Sequence, residues 1–289
     1  MIHQLPLVGF KTFCAKPQKS TKGTKMHIFN LALALIVAVT AFVQPAAQGS
    51  IQARLDETVK QAIAKSKGTR FWVVYSIQAH HRVGVDEEVP ESKGTVFKDG
   101  LRLSLRPASE SRDVSVFLLY RDNKIEKMEI HDIDRYRARD QYPVHSLGQV
   151  TNADSIALLK SLLPAYSGTL TGERLVLAIG IHDDPQVAPA LLSIVNNADG
   201  DDKERGAAAM WLGQVPGQQA TLENLARNED LPIEVRKQAI VGLGFSRYPD
   251  VLPILQNFYE TFSNRELREQ ALFAAGTINR SEATRSRSN

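Results

Sequence analysis

The C-terminal part of the chain, from about residue 170, carries an internal repeat with a period of 31 or 32 residues. Arg205, Arg236 and Arg268 set its register, because each is followed three residues later by alanine and eight residues later by glycine. Arg174 begins a more degenerate copy 31 residues before Arg205. A unit of this length cannot bury its apolar face alone, so the period predicts stacked units with one continuous core.

Each repeat is predicted to contain two helices separated by a turn. The first runs from the arginine to the repeating glycine, which we expect to end it in a left-handed conformation. Prolines in the turns prevent this helix from continuing. The second helices are predicted at residues 187–195, 220–226 and 251–262. Asp230 and Asn264 are predicted to cap the first helices that follow them.

Two of the first helices carry a family resemblance. The segments VRKQAIVGLG, at residues 235–244, and LREQALFAAG, at residues 267–276, resemble HEAT repeats in the short form also seen in phycobilisome-lyase-like proteins. The resemblance covers residues 172–279. The order of leader, β-rich region and repeats is also similar to a group of secreted bacterial HEAT-repeat proteins. The resemblance implies an interaction scaffold that binds a protein partner, and it does not identify that partner.

The region before the repeats has a mixed pattern. Residues 71–77 and 114–120 are rich in β-branched and aromatic residues, which predicts buried strands. Residues 125–130 alternate and follow the turn signal Asp122-Asn123, so a hairpin is expected there. A short amphipathic helix is predicted at residues 56–65. Residues 80–100 are predicted to form a surface loop.

These patterns divide the chain into four parts. They are a leader at residues 1–49, a β-rich region at 50–150, a helical solenoid at 151–280 and a disordered tail at 281–289. Thr151 and Asp154 are predicted to cap the first helix of the solenoid. The fold class is therefore α+β: a small antiparallel β-rich region with a helix, then an α-solenoid of about 3.5 HEAT-like helix pairs.

The leader predicts export. Residues 31–43 are uncharged and apolar, a length typical of a signal-peptide core and short of the roughly 20 residues that a spanning helix needs. Small residues precede a possible cleavage site after Gly49. The sequence therefore predicts a secreted or periplasmic protein, with membrane anchoring through residues 28–43 as the alternative. Met26 is an alternative start.

Charge and cysteine use narrow the function classes. The chain has 35 basic and 32 acidic residues, but five of the lysines lie in the leader, which has no Asp or Glu. The remainder carries 30 basic and 32 acidic residues, so nucleic-acid binding is not expected. The single cysteine, Cys14, also lies in the leader. The exported part would therefore have no disulfide and no cysteine metal site.

The repeat offers candidate partner-binding residues. Arg205, Arg236 and Arg268 are candidates for a ladder that binds an acidic peptide. The competing interpretation is that each arginine caps or pairs within the solenoid. Leu272 is a further candidate, because the last repeat has no second helix and leaves an apolar face for a partner or a second copy of the chain.

Candidate catalytic groups are few, and no cofactor is expected. His131, Asp132, Asp134 and His145 are the candidates for a metal-dependent or lyase-like site in the β-rich region, although two carboxylates are too few for a cation site. His80, His81 and His182 are isolated. Deoxyhypusine hydroxylase, a HEAT-repeat enzyme, holds two irons with His-Glu pairs, and this sequence lacks that ligand set. We therefore expect a non-catalytic scaffold, with an enzyme or a self-associating structural protein as alternatives.

Overall fold

The computed structural model describes residues 50–66, 70–85, 95–96, 101–132, 142–246, 248 and 250–286. The predicted leader and Asp134 lie outside these residues. No helix in the described part of the chain is long and apolar enough to cross a membrane.

The described residues form five strands and nine helices. The strands are β1 Phe71–Val85, β2 Thr95–Val96, β3 Leu101–Arg121, β4 Lys124–Asp132 and β5 Val144–Gln149. The helices are α1 Ile51–Ser66, α2 Asn152–Tyr166, α3 Leu170–Gly180, α4 Val187–Val195, α5 Asp202–Leu212, α6 Gln219–Arg227, α7 Ile233–Phe245, α8 Val251–Thr261 and α9 Arg265–Ser286. The predicted order, a β-rich region and then a helical series, is confirmed.

The strands form one sheet around β1. Strand β3 runs antiparallel to β1 along almost its whole length and also pairs with β2 and β4, whereas β5 pairs with β1 in the parallel direction. The predicted hairpin is present between β3 and β4. Asp122 and Asn123 form its turn with φ values of 49° and 62°, the left-handed conformation that two-residue hairpin turns require.

The predicted loop at residues 80–100 is wrong where this stretch is described. Strand β1 continues to Val85, and residues 95–96 form β2. The partner is the first half of β3, which the sequence pattern did not predict as a strand. Val83 pairs with Leu103, and both side chains are buried, so a non-local contact outweighs the local turn signals.

The first helices of the repeats, α3, α5, α7 and α9, pack side by side in chain order. Each second helix packs more extensively on the first helix of the next repeat than on that of its own. The second helices match the predicted bounds to within a residue. Trp211 is 1% exposed in the core between them. The predicted arrangement of 3.5 helix pairs is therefore present, and α2 precedes it.

The repeating glycines act differently from the prediction. Gly213 has a right-handed φ of −63°, and Gly244 and Gly276 lie inside helices. A Cβ on Gly213 would overlap the backbone carbonyl of Gly242, and one on Gly244 would lie 2.8 Å from the Cβ of Ala274. These two glycines therefore permit neighbouring first helices to approach closely; they do not form left-handed caps.

Three terminus predictions have different outcomes. Asn264 caps α9, since its side-chain oxygen accepts from the N–H of Leu267 at 3.2 Å. Asp230 does not cap α7, which begins after Pro232 without a side-chain cap. The predicted disordered tail is wrong for residues 281–286, because α9 continues to Ser286. Glutamate, alanine and arginine in this segment are good helix formers, and neither glycine nor proline interrupts it.

The sheet and the first repeat share backbone hydrogen bonds and one core. The N–H of His80 donates to the carbonyl of Ile181 at 3.2 Å, and the N–H of Asp183 donates to the carbonyl of Gln78 at 3.0 Å. Arg174 donates to the carbonyl of Met128 in β4. One hydrophobic cluster spans both regions, and among the described residues a smaller separate cluster on the sheet contains Trp72, Phe117 and Leu119. The sheet therefore covers the first end of the helical series.

The different surroundings of Gly213 and Gly276 predict different effects of alanine substitution on stability. We expect Gly213→Ala to destabilise the fold by about 1–3 kcal/mol, because the new methyl group would force two backbones apart. The matched control is Gly276→Ala at the same repeat position, where no atom lies within 4 Å of an added Cβ. It should leave stability unchanged or raise it by up to about 1 kcal/mol. Urea unfolding followed by circular dichroism at low protein concentration would measure both; equal destabilisation would contradict the assignment.

Candidate functional site

The repeating arginines share one structural role. Each lies at the carbonyl end of the second helix that precedes it. The Nε–H of Arg205 donates to the carbonyl of Val195 at 3.0 Å, and that of Arg236 donates to Ala226 at 3.0 Å. Arg268 donates through Nη1 to Phe262 at 2.8 Å. A cation at this position satisfies carbonyls that have no partner within the helix and opposes its dipole.

The three arginines differ in exposure and in their additional hydrogen bonds. Arg205 is 6% exposed and also donates to Asp202 at 3.0 Å. Arg268 makes a second bond to the carbonyl of Ser263 at 2.7 Å. A continuous ladder of accessible guanidinium groups is therefore absent from these three positions. The bonds support the capping interpretation for Arg205 and Arg268.

Arg236 differs because its guanidinium lines a cavity. Only its Nε–H is used within the fold, so its two Nη groups make no hydrogen bond to the described residues. The cavity has a volume of about 270 Å³. We call it the arginine pocket; it is lined by Arg227, Glu229, Arg236, Thr261, Phe262, Ser263, Asn264 and Leu267.

Aromatic rings hold both guanidinium groups of the arginine pocket. Arg227 lies over Phe258, with 4.7 Å from its Cζ to the ring centroid, and Arg236 lies 5.9 Å from the Phe262 centroid. Phe258 and Phe262 stack on each other, with centroids 4.7 Å apart. Such cation–π contacts orient the planar groups before any ligand arrives.

Hydrogen bonds fix Arg227 further. Its Nη2 donates to Asn257 at 2.8 Å, and Nε and Nη2 donate to Glu223 at 3.2 and 3.1 Å. Its Nη1 stays unused within the described residues. Two oriented guanidinium groups with spare N–H donors form a site for a carboxylate, which arginine binds in a fork geometry. Glu223, which forms an ion pair with Arg227 at 3.1 Å, and Glu229 on the lining partly offset their charge.

Sequence reasoning named Arg236 and missed Arg227. The signal was present in the last second helix, where Phe258 and Phe262 are spaced four residues apart and therefore share a helical face. The stacking of that face against an arginine one repeat earlier depends on the three-dimensional packing of α6 on α7 and of α8 on α9.

Leu272 lies on α9, outside the arginine pocket. Its side chain is 59% exposed, and that of its neighbour Phe273 is 60% exposed. Leu267 and Ala271, two other apolar residues of α9, are fully buried. The exposed part of the face is therefore narrower than the sequence pattern indicates.

The candidate catalytic groups His131 and Asp132 make structural contacts. Asp132 is buried and accepts from the N–H of Val83 at 2.9 Å and from Arg112 at 3.4 Å. Burial raises the pKa of this carboxyl. His131 lies 3.3 Å from the carboxylate of Glu129. The described residues contain no group of three or more side chains placed to bind a metal ion.

His80 and His182 lie at the junction of the sheet and the first repeat, whereas His145 lies in β5 opposite Val73 of β1. His80 pairs with Asp183. His145 packs edge-on against Phe71, with ring centroids 5.7 Å apart, so a packing role is supported. His182 is buried; its Nδ1 donates to the carbonyl of Ala178 at 2.6 Å, and its Nε2 has no partner among the described residues. Burial lowers the pKa of His182 to about 4.

A wider, open cleft of about 590 Å³ lies at the same junction. Its lining is polar, and its groups bond to one another. Asn152 donates to the carbonyl of Asp183 at 2.7 Å and accepts from the N–H of Gln78 at 3.0 Å. These bonds hold α2 and the first repeat on the sheet. The cleft therefore lacks the free, converging donors of the arginine pocket.

The helical series that contains the arginine pocket matches a known repeat family. Residues 188–276 match the family of HEAT repeats. The matched segment begins in α4, ends in α9 and includes both arginines of the pocket. HEAT repeats are helix-pair units whose stacking creates extended binding surfaces. The predicted HEAT-repeat architecture is thus supported for this segment, and a role in protein interaction is consistent with it.

Comparison with other proteins adds little beyond this family. None of the curated proteins matches the chain significantly. Among solved structures, human deoxyhypusine hydroxylase in complex with glycerol is similar at 21% identity and a TM-score of 0.35. The similarity covers 43% of this chain and 43% of the hydroxylase, less than half of either protein.

The buried His182 predicts a pH-dependent stability. Its pKa is about 4 in the folded state and near 6.5 when unfolded, so the unfolded state binds the proton first as the pH falls. The free energy of unfolding should therefore decrease between pH 6.5 and pH 4, by about 2–3 kcal/mol from this residue.

The control is His182→Asn, whose amide can still donate to Ala178 but does not titrate. We expect the variant to lose less stability than the wild type when urea unfolding is compared at pH 7.5 and pH 4.5. An identical loss in both proteins would show that His182 is not buried in its neutral form.

Proposed function

We propose that this protein is a non-catalytic scaffold of the cell envelope that binds a protein partner through its HEAT-repeat surface. In this proposal the arginine pocket receives an acidic side chain of the partner. The observation that carries it is the pair of oriented guanidinium groups, Arg227 and Arg236, with N–H donors that no described residue uses.

The dimensions of the pocket favour one side chain over a larger ligand. The pocket volume of about 270 Å³ is slightly smaller than that of typical small-molecule sites, which range from roughly 300 to 1,000 Å³. An aspartate or glutamate carboxylate would match the fork of the two Nη groups of Arg236 and would also accept from Nη1 of Arg227. Phe262 and Leu267 would contact its methylene groups. Interfaces concentrate their binding energy in such arginine and aromatic anchors.

The envelope location rests on the predicted leader. An apolar core of signal-peptide length, basic residues before it and small residues after it together favour export. The resemblance to secreted bacterial HEAT-repeat proteins supports the same compartment. Anchoring through residues 28–43 would also place the repeats outside the cytoplasm.

Partner capture followed by affinity measurement tests the pocket. A tagged full-length chain would capture its partner from an envelope extract, and the purified pair would be measured by isothermal titration calorimetry. We expect Arg227→Gln to weaken binding by about tenfold or more, because it removes one cation and its free Nη1 donor. Arg236→Lys should also weaken binding, since lysine keeps the charge but loses the planar donor pair.

The matched control is Arg121→Gln. Arg121 is an exposed arginine on the β3–β4 hairpin and also pairs with a glutamate, Glu126. The Arg121→Gln variant should bind the partner with wild-type affinity, and the salt dependence of that affinity should equal that of the wild type. Wild-type affinity in both pocket variants would show that the partner binds elsewhere.

A further inference from the structure

The exposed face of α9 repeats positions that are buried in earlier repeats. Leu272 lies four residues after the repeat arginine, at the position of Ile240 in α7 and Ala209 in α5. Both of these earlier residues are fully buried, whereas Leu272 is 59% exposed. Phe273 is 60% exposed, while its equivalents are at least half-buried. In α5 and α7 these positions are covered by the helices of the next repeat.

Gly276 belongs to the same face. Its equivalents, Gly213 and Gly244, are where the next first helix approaches so closely that a Cβ would collide with it. At Gly276 an added Cβ would meet no atom within 4 Å. The chain thus presents the contact surface of a first helix, with its small residue in place, and no described helix lies on it.

This face is complementary to itself. Phe273 and Gly276 lie about one helical turn apart on α9, so a bulky side chain and a gap alternate along the helix. If two copies of α9 packed antiparallel across a two-fold axis between these positions, Phe273 of each copy would lie over Gly276 of the other. An isologous interface requires this reciprocity, in which one residue contacts a second and the second contacts the first.

The sheet covers the opposite end of the helical series, so α3 is not available to pack on α9 of another copy. There the sheet covers α3, through the bond from Arg174 to Met128 and the backbone pairing of Ile181 and Asp183 with β1. A second copy therefore cannot place its own α3 on the exposed face of α9. Packing of α9 on α9 of a second copy leaves the covered α3 of both copies undisturbed.

The charges around the face permit such a pair. Arg265 and Glu269 neutralise each other within α9, with 2.6 Å between Nε and Oε1, and Glu266 pairs with Lys237. No uncompensated like charge at these positions opposes a second copy. The helix has 22 residues, or about 33 Å, which allows contact over several turns.

We infer that α9 forms a two-fold interface with α9 of a second copy, through Leu272, Phe273 and Gly276. The interface lies outside the arginine pocket, and it does not depend on the proposed partner binding. One helix pair is a small interface, so the association is reversible and depends on protein concentration.

Sedimentation equilibrium over a range of protein concentrations tests this interface in the full-length chain. We expect a monomer–dimer equilibrium in the wild type. Phe273→Glu should raise the dissociation constant by about tenfold or more, because it places two carboxylates in the contact. Gly276→Leu should do the same by filling the gap, and leucine keeps the helix intact.

The matched control is Tyr259→Glu, which introduces the same charge at another exposed aromatic residue, on α8. It should dimerise like the wild type. Circular dichroism should show equal helix content in all four proteins, because the replaced positions are exposed. A photo-crosslinking residue at position 272 should give a product of twice the chain mass.

Three results would each overturn the inference. A strict monomer at every concentration would show that the face binds no second copy. Dimerisation of wild-type strength in both Phe273→Glu and Gly276→Leu would place the interface elsewhere. A crosslinked product from extract that contains a different protein, with no doubled chain, would assign the face to a foreign partner.

Discussion

The helical series depends on a guanidinium placed against the carbonyl end of the preceding helix. Arg205, Arg236 and Arg268 each make this bond, and each is presented by a first helix to the second helix before it. The bond satisfies carbonyls that would otherwise be buried without a partner, which costs about 1–3 kcal/mol for each group. It therefore ties each first helix to the second helix that precedes it.

The sheet supplies this partner for the first copy. Arg174 has no preceding repeat helix to cap, and it donates to the carbonyl of Met128 in β4. Backbone bonds between β1 and residues 181–183 complete the join. The β-rich region thus acts as the terminal cap that helical solenoids need for solubility. It shares one core with the repeats, and the arginine pocket lies toward the other end of the series.

Periodicity made the helices predictable, and non-local contacts limited the rest. The repeat spacing of 31 or 32 residues predicted the second helix of each repeat to within a residue. The apolar pattern of each helix and the turn residues that bound it are encoded in the local sequence. The role of Gly213 was not predictable, because a glycine before a turn has the same local signal whether it caps a helix or admits Gly242. The sequence predicted only one of the two arginines of the pocket. Arg236 follows the repeat, whereas Arg227 acquires its role only when Phe258 and Phe262 pack beneath it.

The offset between helix pairing and sequence repeat has an evolutionary consequence. Since each second helix packs chiefly on the following first helix, the most closely packed helix pair begins with a second helix and ends with the next first helix. A duplication with those boundaries would carry the arginine and the carbonyl it caps together. A duplication with the boundaries of the sequence repeat would separate them at each junction. Chain lengthening by recombination is therefore tolerated most readily at breakpoints in the turns that follow first helices.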